Sequence, residues 1–283
     1  MSLDPFELEW TGGPAAHHFR KARPEIDELP WGTLDPDAYP PALVAAVRGS
    51  WTELAMNEYR AYAFFAEVLH ALALARAPLD LLGMASEFVA DEALHVELAS
   101  RIAMELGGAE PRHLDLRSLS IPGDRSLTPF ARANEVVLRV SCVAETFSGG
   151  MGRGAREVSK HPLLRGVYDI VLADEARHER FGGLYFEWAN DRIDDAERAR
   201  LAAVAADTLR GLSSFWKQHD PSVAVGQTRQ GWNVADIHAL GWLESARAAA
   251  HARAVVANEV LPPLDALGIV ISPEIRTELL GSD

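Results

Sequence analysis

A six-residue pattern, Ala-Asp-Glu-Ala-x-His, occurs twice in this chain of 283 residues, at 90–95 and at 173–178. Within each copy the glutamate and the histidine are three residues apart, so they project from one face of a helix. The aspartate that precedes each glutamate lies on nearly the same face. Each copy therefore offers a carboxylate and an imidazole to a metal ion, with a second carboxylate to orient an imidazole.

The surrounding sequence favours helix throughout. Alanine, leucine, glutamate and arginine dominate and β-branched runs are scarce, a composition with high helix propensity. Prolines, glycines and capping residues divide the chain into segments. We expect an all-α protein with helices over about 41–76, 79–106, 128–157, 163–190, 195–218 and 234–261, and a short helix after Pro273.

The chain divides into three parts by composition and by the expected helices. Residues 1–38 carry five prolines, and we expect them to form an extended N-terminal arm over a surface. Residues 39–192 contain four long helices, including both copies of the motif, and are expected to form a bundle that holds a dinuclear site. Residues 193–283 are expected to add two C-terminal helices packed on the bundle.

A dinuclear carboxylate site needs one further glutamate from each of two other bundle helices. In an antiparallel helical hairpin, residues at equal depth are placed symmetrically about the turn. The midpoint of Glu145 and Glu175 is residue 160, in the turn between the third and fourth helices. The midpoint of Glu58 and Glu92 is residue 75, at the break between the first two. In both hairpins the two glutamates are therefore expected to lie at the same depth in the bundle.

Glu58 has two competitors on its own helix. Glu53 and Glu67 share a polar face with Arg60, whereas Glu58 lies on an apolar stripe, and a glutamate on an apolar stripe must be paired, protonated or metal-bound. The third Glu-x-x-His match, Glu67 to His70, is interpreted as a chance occurrence.

Together the candidate ligands supply four carboxylates and two imidazoles. Such hard oxygen and borderline nitrogen donors suit iron or manganese, and four negative charges offset two divalent cations. The ligand set does not choose between the two metals. The candidates are Glu58, Glu92, His95, Glu145, Glu175 and His178.

The order Glu, Glu-x-x-His, Glu, Glu-x-x-His on four successive helices resembles the ferritin-like diiron-carboxylate superfamily. The resemblance covers about residues 41–190. It implies a ferritin-like four-helix bundle with one long crossover, here 109–127, and two metal ions bridged by the carboxylates of Glu92 and Glu175. The cofactors it implies are two iron ions, with manganese or a mixed iron–manganese pair as the variants.

The resemblance also implies that Asp91 and Asp174 each support a histidine on the neighbouring helix. We expect a non-haem dinuclear oxidoreductase that activates O₂ to oxidise a small, apolar organic substrate, with electrons from an external donor. Two alternatives stay open. One is a ferroxidase or peroxide-scavenging protein. The other is a non-catalytic helical binding protein in which the metal ions only stabilise the bundle.

A glycine-rich segment, 148–154, follows Glu145. Its four glycines are costly in a helix, at about 1 kcal/mol each relative to alanine. One interpretation is close helix packing or a break before the turn. The other is a space beside the metals, with locally loosened helix, that admits a substrate or O₂. The residues predicted to line such an apolar pocket are Tyr62, Phe65, Phe147, Gly149, Met151, Tyr168 and Gly182.

Charge and composition argue against other classes of partner. A net charge of −14 disfavours binding to nucleic acid or to an anionic membrane face. No apolar stretch approaches the roughly 18 residues needed to span a bilayer, and the N-terminus lacks the layout of a secretory signal. With Cys142 as the only cysteine, a reducing cytoplasm is the expected location. We expect a homodimer, and the C-terminal helices either cover the bundle or build the dimer interface.

Overall fold

The computed structural model describes residues 4–124 and 126–281, and the prediction of an all-α protein is confirmed. No helix among these residues is both long and apolar enough to cross a membrane. The described residues include two π-helical segments, Leu138–Glu145 and Val256–Val260, and a small antiparallel ladder that pairs β1 (Asp4–Pro5) with β2 (His113–Leu114). The helices are α1 (Gly13–Lys21), α2 (Pro41–Leu74), α3 (Leu79–Glu105), α4 (Pro129–Val137), α5 (Thr146–Val158), α6 (Pro162–Ala189), α7 (Asp195–Leu212), α8 (Ser214–Lys217), α9 (Val234–Ala239), α10 (Ser245–Val255), α11 (Leu261–Ala266) and α12 (Pro273–Leu280).

The long helices begin and end close to the predicted positions because local chemistry sets their ends. Pro41 occupies the first turn of α2, where a missing N–H costs nothing. The Thr128 hydroxyl accepts a hydrogen bond from the Ala131 N–H at 3.2 Å and caps α4. Beyond the end of α3, Gly107 adopts φ +102°, a backbone conformation that glycine reaches without strain.

The last predicted long helix is interrupted. Between α9 and α10 the chain turns at Gly241, which has φ +87°. A Cβ at this position would lie 3.2 Å from the Trp51 ring. The helical pattern of residues 234–261 therefore gives way to a turn because the backbone passes closely over a buried tryptophan.

Four helical segments pack in a ring, and together they carry all six candidate ligands. Helix α2 packs on α3, α3 on α6, α6 on the continuous third segment at 129–158, and that segment on α2. The connection at 106–128 joins segments on opposite corners of this ring. It contains β2, which pairs with β1 near the N-terminus.

Buried apolar side chains form two clusters that the candidate ligands separate. Along α3, Phe88 belongs to the first cluster and Leu98 to the second, and Glu92 lies between them in the sequence. Along α2 and α6 the order of the two clusters is reversed, and Glu58 and Glu175 again lie between them. The site is therefore a polar layer between two apolar ones. Further members of the first cluster are Phe65 and Phe181, and of the second Trp51 and Tyr168.

The C-terminal helices pack mainly on one side of the ring, the segment at 129–158. Helix α7 contacts the π-helical stretch Leu138–Glu145, and α10 contacts α5. Val255 and Val256 are buried and belong to the first apolar cluster. These helices therefore share the core of the ring.

The N-terminal arm is more structured than the expected extended chain. It contains β1, α1 and two 3₁₀ turns, at Pro24–Glu28 and Pro36–Ala38. Ile26 and Leu34 are buried in the second apolar cluster. The prolines start short helical turns here, as proline does at a first helical position, and the arm docks through its own apolar residues.

Candidate metal centre

Six buried side chains from the four segments converge between the two apolar clusters. One group contains Glu92, Glu145, Glu175 and His178, and a second contains Glu58, Glu92 and His95. Within each group, one potential ligand atom per residue lies within 4.8 Å of the others. Glu92, which is 0% exposed, belongs to both groups. The structure therefore brings all six predicted ligands together in two adjoining groups that share one carboxylate.

Several polar atoms in these groups have no hydrogen-bond partner within the described part of the chain. They are both carboxylate oxygens of Glu92, Oε2 of Glu175 and Nδ1 of His95. His178 Nδ1 lies 3.2 Å from Glu92 Oε1, but the geometry is not that of a hydrogen bond. Burying an unpaired carboxylate costs several kcal/mol. Cations between these atoms would remove that cost, so the donor set fits two metal ions.

The charges of the centre influence one another strongly. Burial and the nearby carboxylates raise the pKa of Glu58 and of Glu175 well above the ordinary range. Burial also raises the pKa of Glu92, but His95 and His178 outweigh it and lower that pKa to about 2. Burial lowers the pKa of His95, yet the charge of Glu92 prevails and raises it to about 10. The raised pKa values of Glu58, Glu175 and His95 favour protonation of these groups when no cation offsets the negative charge.

The histidines are held from the opposite helix. His95 Nε2 on α3 lies 3.3 Å from Asp174 Oδ2 on α6, and His178 Nε2 on α6 lies 3.4 Å from Asp91 Oδ2 on α3. A proton on each Nε2 can be donated to the aspartate, which leaves Nδ1 as the free nitrogen. Each Nδ1 faces the glutamates of the centre. These are the contacts that the resemblance implied for Asp91 and Asp174.

Two arginines bind both aspartates. Arg23 donates from Nη1 to Asp91 Oδ1 at 2.7 Å and from Nη2 to Asp174 Oδ2 at 2.6 Å. Arg177 donates from Nη2 to Asp91 Oδ2 at 2.9 Å and to Asp174 Oδ1 at 2.8 Å. Burial raises the pKa of Asp174, but hydrogen bonds from His95 and Arg23 outweigh it and lower that pKa to about 2. The sequence pattern did not indicate a role for either arginine, although Arg177 lies inside the second motif.

The helix that carries Glu145 is π-helical over Leu138–Glu145. The Thr146 hydroxyl donates to the Ser141 carbonyl, five residues earlier, at 3.3 Å. Single π-helical stretches inside α-helices are frequent at functional sites. One of the two interpretations of the glycines placed a loosened helix at 148–154, but the irregular stretch ends at Glu145, and α5 is α-helical throughout. The π-helical stretch has no glycine or proline that could have indicated it.

The glycines near the centre serve close packing, one of the two interpretations that the sequence left open. A Cβ at Gly150 would lie 2.5 Å from Val255 Cγ1, and one at Gly154 would lie 2.5 Å from His251 Nε2. A Cβ at Gly182 would overlap Cys142 Sγ, and one at Gly149 would overlap the Glu179 carboxylate. Gly149 and Gly182 therefore lie against side chains, and neither of them lines the cavity beside Glu58 and His95.

A small apolar cavity of about 20 Å³ lies beside Glu58 and His95. Of the predicted pocket residues, Tyr168 lines it, and its hydroxyl donates to the Gly241 carbonyl at 2.6 Å. The volume suits a molecule the size of water. The other side chains that line the cavity are Trp51, Leu54, Leu98, Ala99, Val167 and Val171.

The remaining predicted pocket residues lie elsewhere. The Phe65 ring packs on the His178 imidazole, with the ring centres 4.9 Å apart. Tyr62 is 38% exposed and stacks on Tyr59. Phe147 packs against Phe215 and Trp216, and Met151 against the first apolar cluster. Of these residues, Phe65 touches a candidate ligand.

The competing glutamates are engaged in other contacts. Glu67 accepts hydrogen bonds from Arg132 and from the Ile121 N–H. Glu53 is half-exposed and pairs loosely with Arg60 and Arg112. The preference for Glu58 therefore agrees with where the structure places the three residues.

Comparisons with known proteins do not assign this chain to a family. No protein-family model matches it, and neither the curated proteins nor the solved structures contain a match. Any functional conclusion therefore depends on the geometry of the site.

Proposed function

We propose that this chain is a ferritin-like, non-haem dinuclear metal protein, and that it activates O₂ to oxidise a small apolar substrate. The observation that supports the proposal most directly is the convergence of six buried ligand residues in two groups that share Glu92. The unpaired oxygens of that glutamate would be ligands to the metal ions. The ring of four helical segments and the connection between its opposite corners suit a ferritin-like bundle.

The protein's own residues orient the ligands and exclude water. A bound pair of iron or manganese ions would supply the redox chemistry with O₂. Asp91 and Asp174 hold the two imidazoles from the far side, and each Nδ1 is thereby directed at the glutamates. The Phe65 and Phe88 rings pack on His178, which gives this end of the centre an apolar wall.

The cavity beside Glu58 and His95 limits what can approach the centre. Its lining is apolar apart from these two residues, so it favours an uncharged molecule such as O₂. At about 20 Å³ it is much smaller than the roughly 300–1,000 Å³ typical of sites for organic ligands. An organic substrate would therefore need this cavity to widen, for example between the Trp51 and Tyr168 rings, whose centres lie 5.7 Å apart.

Metal analysis and O₂ uptake test the proposal. Protein loaded with Fe²⁺ under anaerobic conditions and then desalted is expected to retain about two ions per chain. On exposure to air with a chemical reductant, the loaded protein should consume O₂ faster than the same protein treated with a chelator. Retention of less than about half an ion per chain would contradict the proposal.

The size of the cavity favours one alternative, a ferroxidase whose substrate is iron itself. This function needs O₂ and iron at the centre and requires no organic pocket. It predicts repeated turnover of added Fe²⁺ without any organic substrate, and assembly into a large oligomer if iron is stored. Stopped-flow iron oxidation and size-exclusion chromatography distinguish it from the main proposal.

A further inference from the structure

A compact charge cluster lies behind the two histidines, on the side away from the glutamates. It consists of Asp91, Asp174, Arg23 and Arg177. The two aspartates are buried, at 5% and 2% exposure, and belong to different helices, α3 and α6. The two arginines approach from outside and each contacts both aspartates. The cluster therefore has two negative and two positive charges, and it ties the two helices together.

The arginines divide the aspartate oxygens between them. Arg23 binds the oxygen of Asp174 that also contacts His95, and the oxygen of Asp91 that does not contact His178. Arg177 binds the other two oxygens. They are the Asp91 oxygen that contacts His178 and the Asp174 oxygen that does not contact His95. Arg23 is thus the partner of the His95 half of the centre, and Arg177 is the partner of the His178 half.

The two sequence motifs explain why the arm contributes an arginine. The residue before the histidine is Arg177 in the second motif and Leu94 in the first. Leu94 is buried in the second apolar cluster, so the first motif carries no guanidinium of its own. Arg23 comes from a distant part of the chain, 68 residues before Asp91 and 151 before Asp174.

Removing Arg23 would leave one guanidinium for two buried aspartates. An uncompensated buried charge is strongly destabilising, so the aspartates would move or bind water. Asp174 is affected most, because it would lose the donor that shares its oxygen with His95. His95 would then lose the partner that keeps its Nδ1 directed at Glu92.

We propose that Arg23 is a positioning residue of the metal centre, and that the N-terminal arm thereby completes the support of His95. The inference rests on the proposed function, since it assumes that metal ions bind the six ligands. Arg23 touches no candidate ligand atom itself. It acts through Asp174 and Asp91, and a guanidinium suits this role better than an ammonium group because it presents two donors in a fixed plane.

The arm has other anchors, which make the inference testable. Arg20 of the same arm forms an ion pair with Glu97 on α3 at 2.5 Å. The Gly32 N–H donates to Glu105 at 2.8 Å, and Ile26 is buried. Loss of one arginine therefore leaves the arm docked, and Arg20→Gln is a matched control for Arg23→Gln.

The experiment measures cobalt(II) binding to the wild type, Arg23→Gln, Arg23→Lys and Arg20→Gln, by absorption spectroscopy and by the rate of metal release to a chelator. Loss of a group that supports a ligand typically costs 10- to 100-fold in metal affinity. We expect Arg23→Gln to release cobalt about 10- to 100-fold faster and to change the absorption bands. Arg23→Lys should restore part of the loss. Arg20→Gln should stay within about 3-fold of wild type, because Glu97 keeps Arg101 as a partner at 3.5 Å.

Three outcomes would overturn the inference. Arg23→Gln could bind and release cobalt like the wild type, or Arg20→Gln could be equally impaired, which would show that only arm docking matters. If the wild type binds no cobalt, the proposed function fails and the inference fails with it. Wild-type binding with no O₂ consumption contradicts the oxygenase activity alone. Thermal unfolding of the metal-free variants shows whether each one is folded.

Discussion

His178 Nε2 lies 3.4 Å from Asp91 Oδ2, across the interface between α6 and α3. The same relationship holds in the opposite direction for His95 and Asp174. Each repeat of the motif therefore supplies a candidate ligand pair to the centre and an aspartate to the other repeat. The two motifs function as a pair, and neither would hold its histidine alone.

Asp91→Asn should weaken metal binding about 10- to 100-fold, the usual effect of losing a carboxylate behind a ligand histidine. The amide keeps the size of the side chain but loses the charge that holds the His178 proton on Nε2 and that pairs with Arg23. Competition with a coloured chelator measures the affinity. Asp169→Asn is the control, because Asp169 is exposed on α6 and pairs with Arg156. Equal affinities for the two variants would contradict a supporting role for Asp91.

Glu58→Gln should reduce the bound metal from about two ions per chain to about one. Glu58 contributes to the group with Glu92 and His95 and does not belong to the other group. Elemental analysis after loading and desalting gives the stoichiometry. Glu53→Gln, one turn and a half earlier on the same helix and half-exposed, should keep both ions. Retention of two ions by Glu58→Gln would exclude Glu58 as a required ligand.

Gly182→Ala and Gly183→Ala should have opposite effects on the free energy of unfolding. A Cβ at Gly182 would overlap Cys142 Sγ, whereas a Cβ at Gly183 meets no described atom within 4 Å. Overpacking costs about 1–3 kcal/mol, and alanine in place of an exposed helical glycine stabilises by up to about 1 kcal/mol. Urea unfolding measures both.

The clash at Gly182 can be tested by a second substitution. Cys142→Ala removes Sγ, so the double variant with Gly182→Ala should recover part of the stability lost in the single variant. If Gly182→Ala is as stable as the wild type, the close approach of α6 to the π-helical segment is not a constraint.

Glu244→Gln should destabilise the protein at neutral pH by about 1–3 kcal/mol, the range for a buried group that loses a charged hydrogen bond. Burial raises the pKa of Glu244, but hydrogen bonds from His238 and the Gly226 N–H outweigh it and lower the pKa below 4.5. A lowered pKa means that the stabilisation is present above pH 4.5 and is lost as the pH falls through the folded-state value.

The difference between wild type and Glu244→Gln should therefore be constant near neutral pH and shrink in acid. Thermal unfolding at a series of pH values measures it. Glu187→Gln, on the exposed side of α6, should show neither the loss nor this pH dependence. A difference that fails to shrink when the pH falls well below 4.5 would contradict the assigned contacts of Glu244.

Much of the site could be predicted because it depends on local periodicity. Because Glu92 and His95 are three residues apart, they lie on the same face of their helix whatever that helix packs against. A carboxylate on an apolar stripe, such as that of Glu58, is expected to be buried with the stripe. The depth of Glu145 follows from the position of a turn 15 residues from it and from Glu175. Helix ends depend on caps and prolines that the sequence shows directly.

The sequence by itself determined the helical class, the main helices and which six side chains could meet. Only the tertiary structure decided that Arg23 from the arm reaches both aspartates and that the helix is π-helical up to Glu145. It also decided that the glycines allow α10 and Cys142 to pack closely, at positions where the sequence also allowed a substrate pocket. The physical reason is the distance along the chain over which each interaction acts. Periodicity and capping act over a few residues, whereas these features depend on segments that pack together although tens to hundreds of residues separate them along the chain.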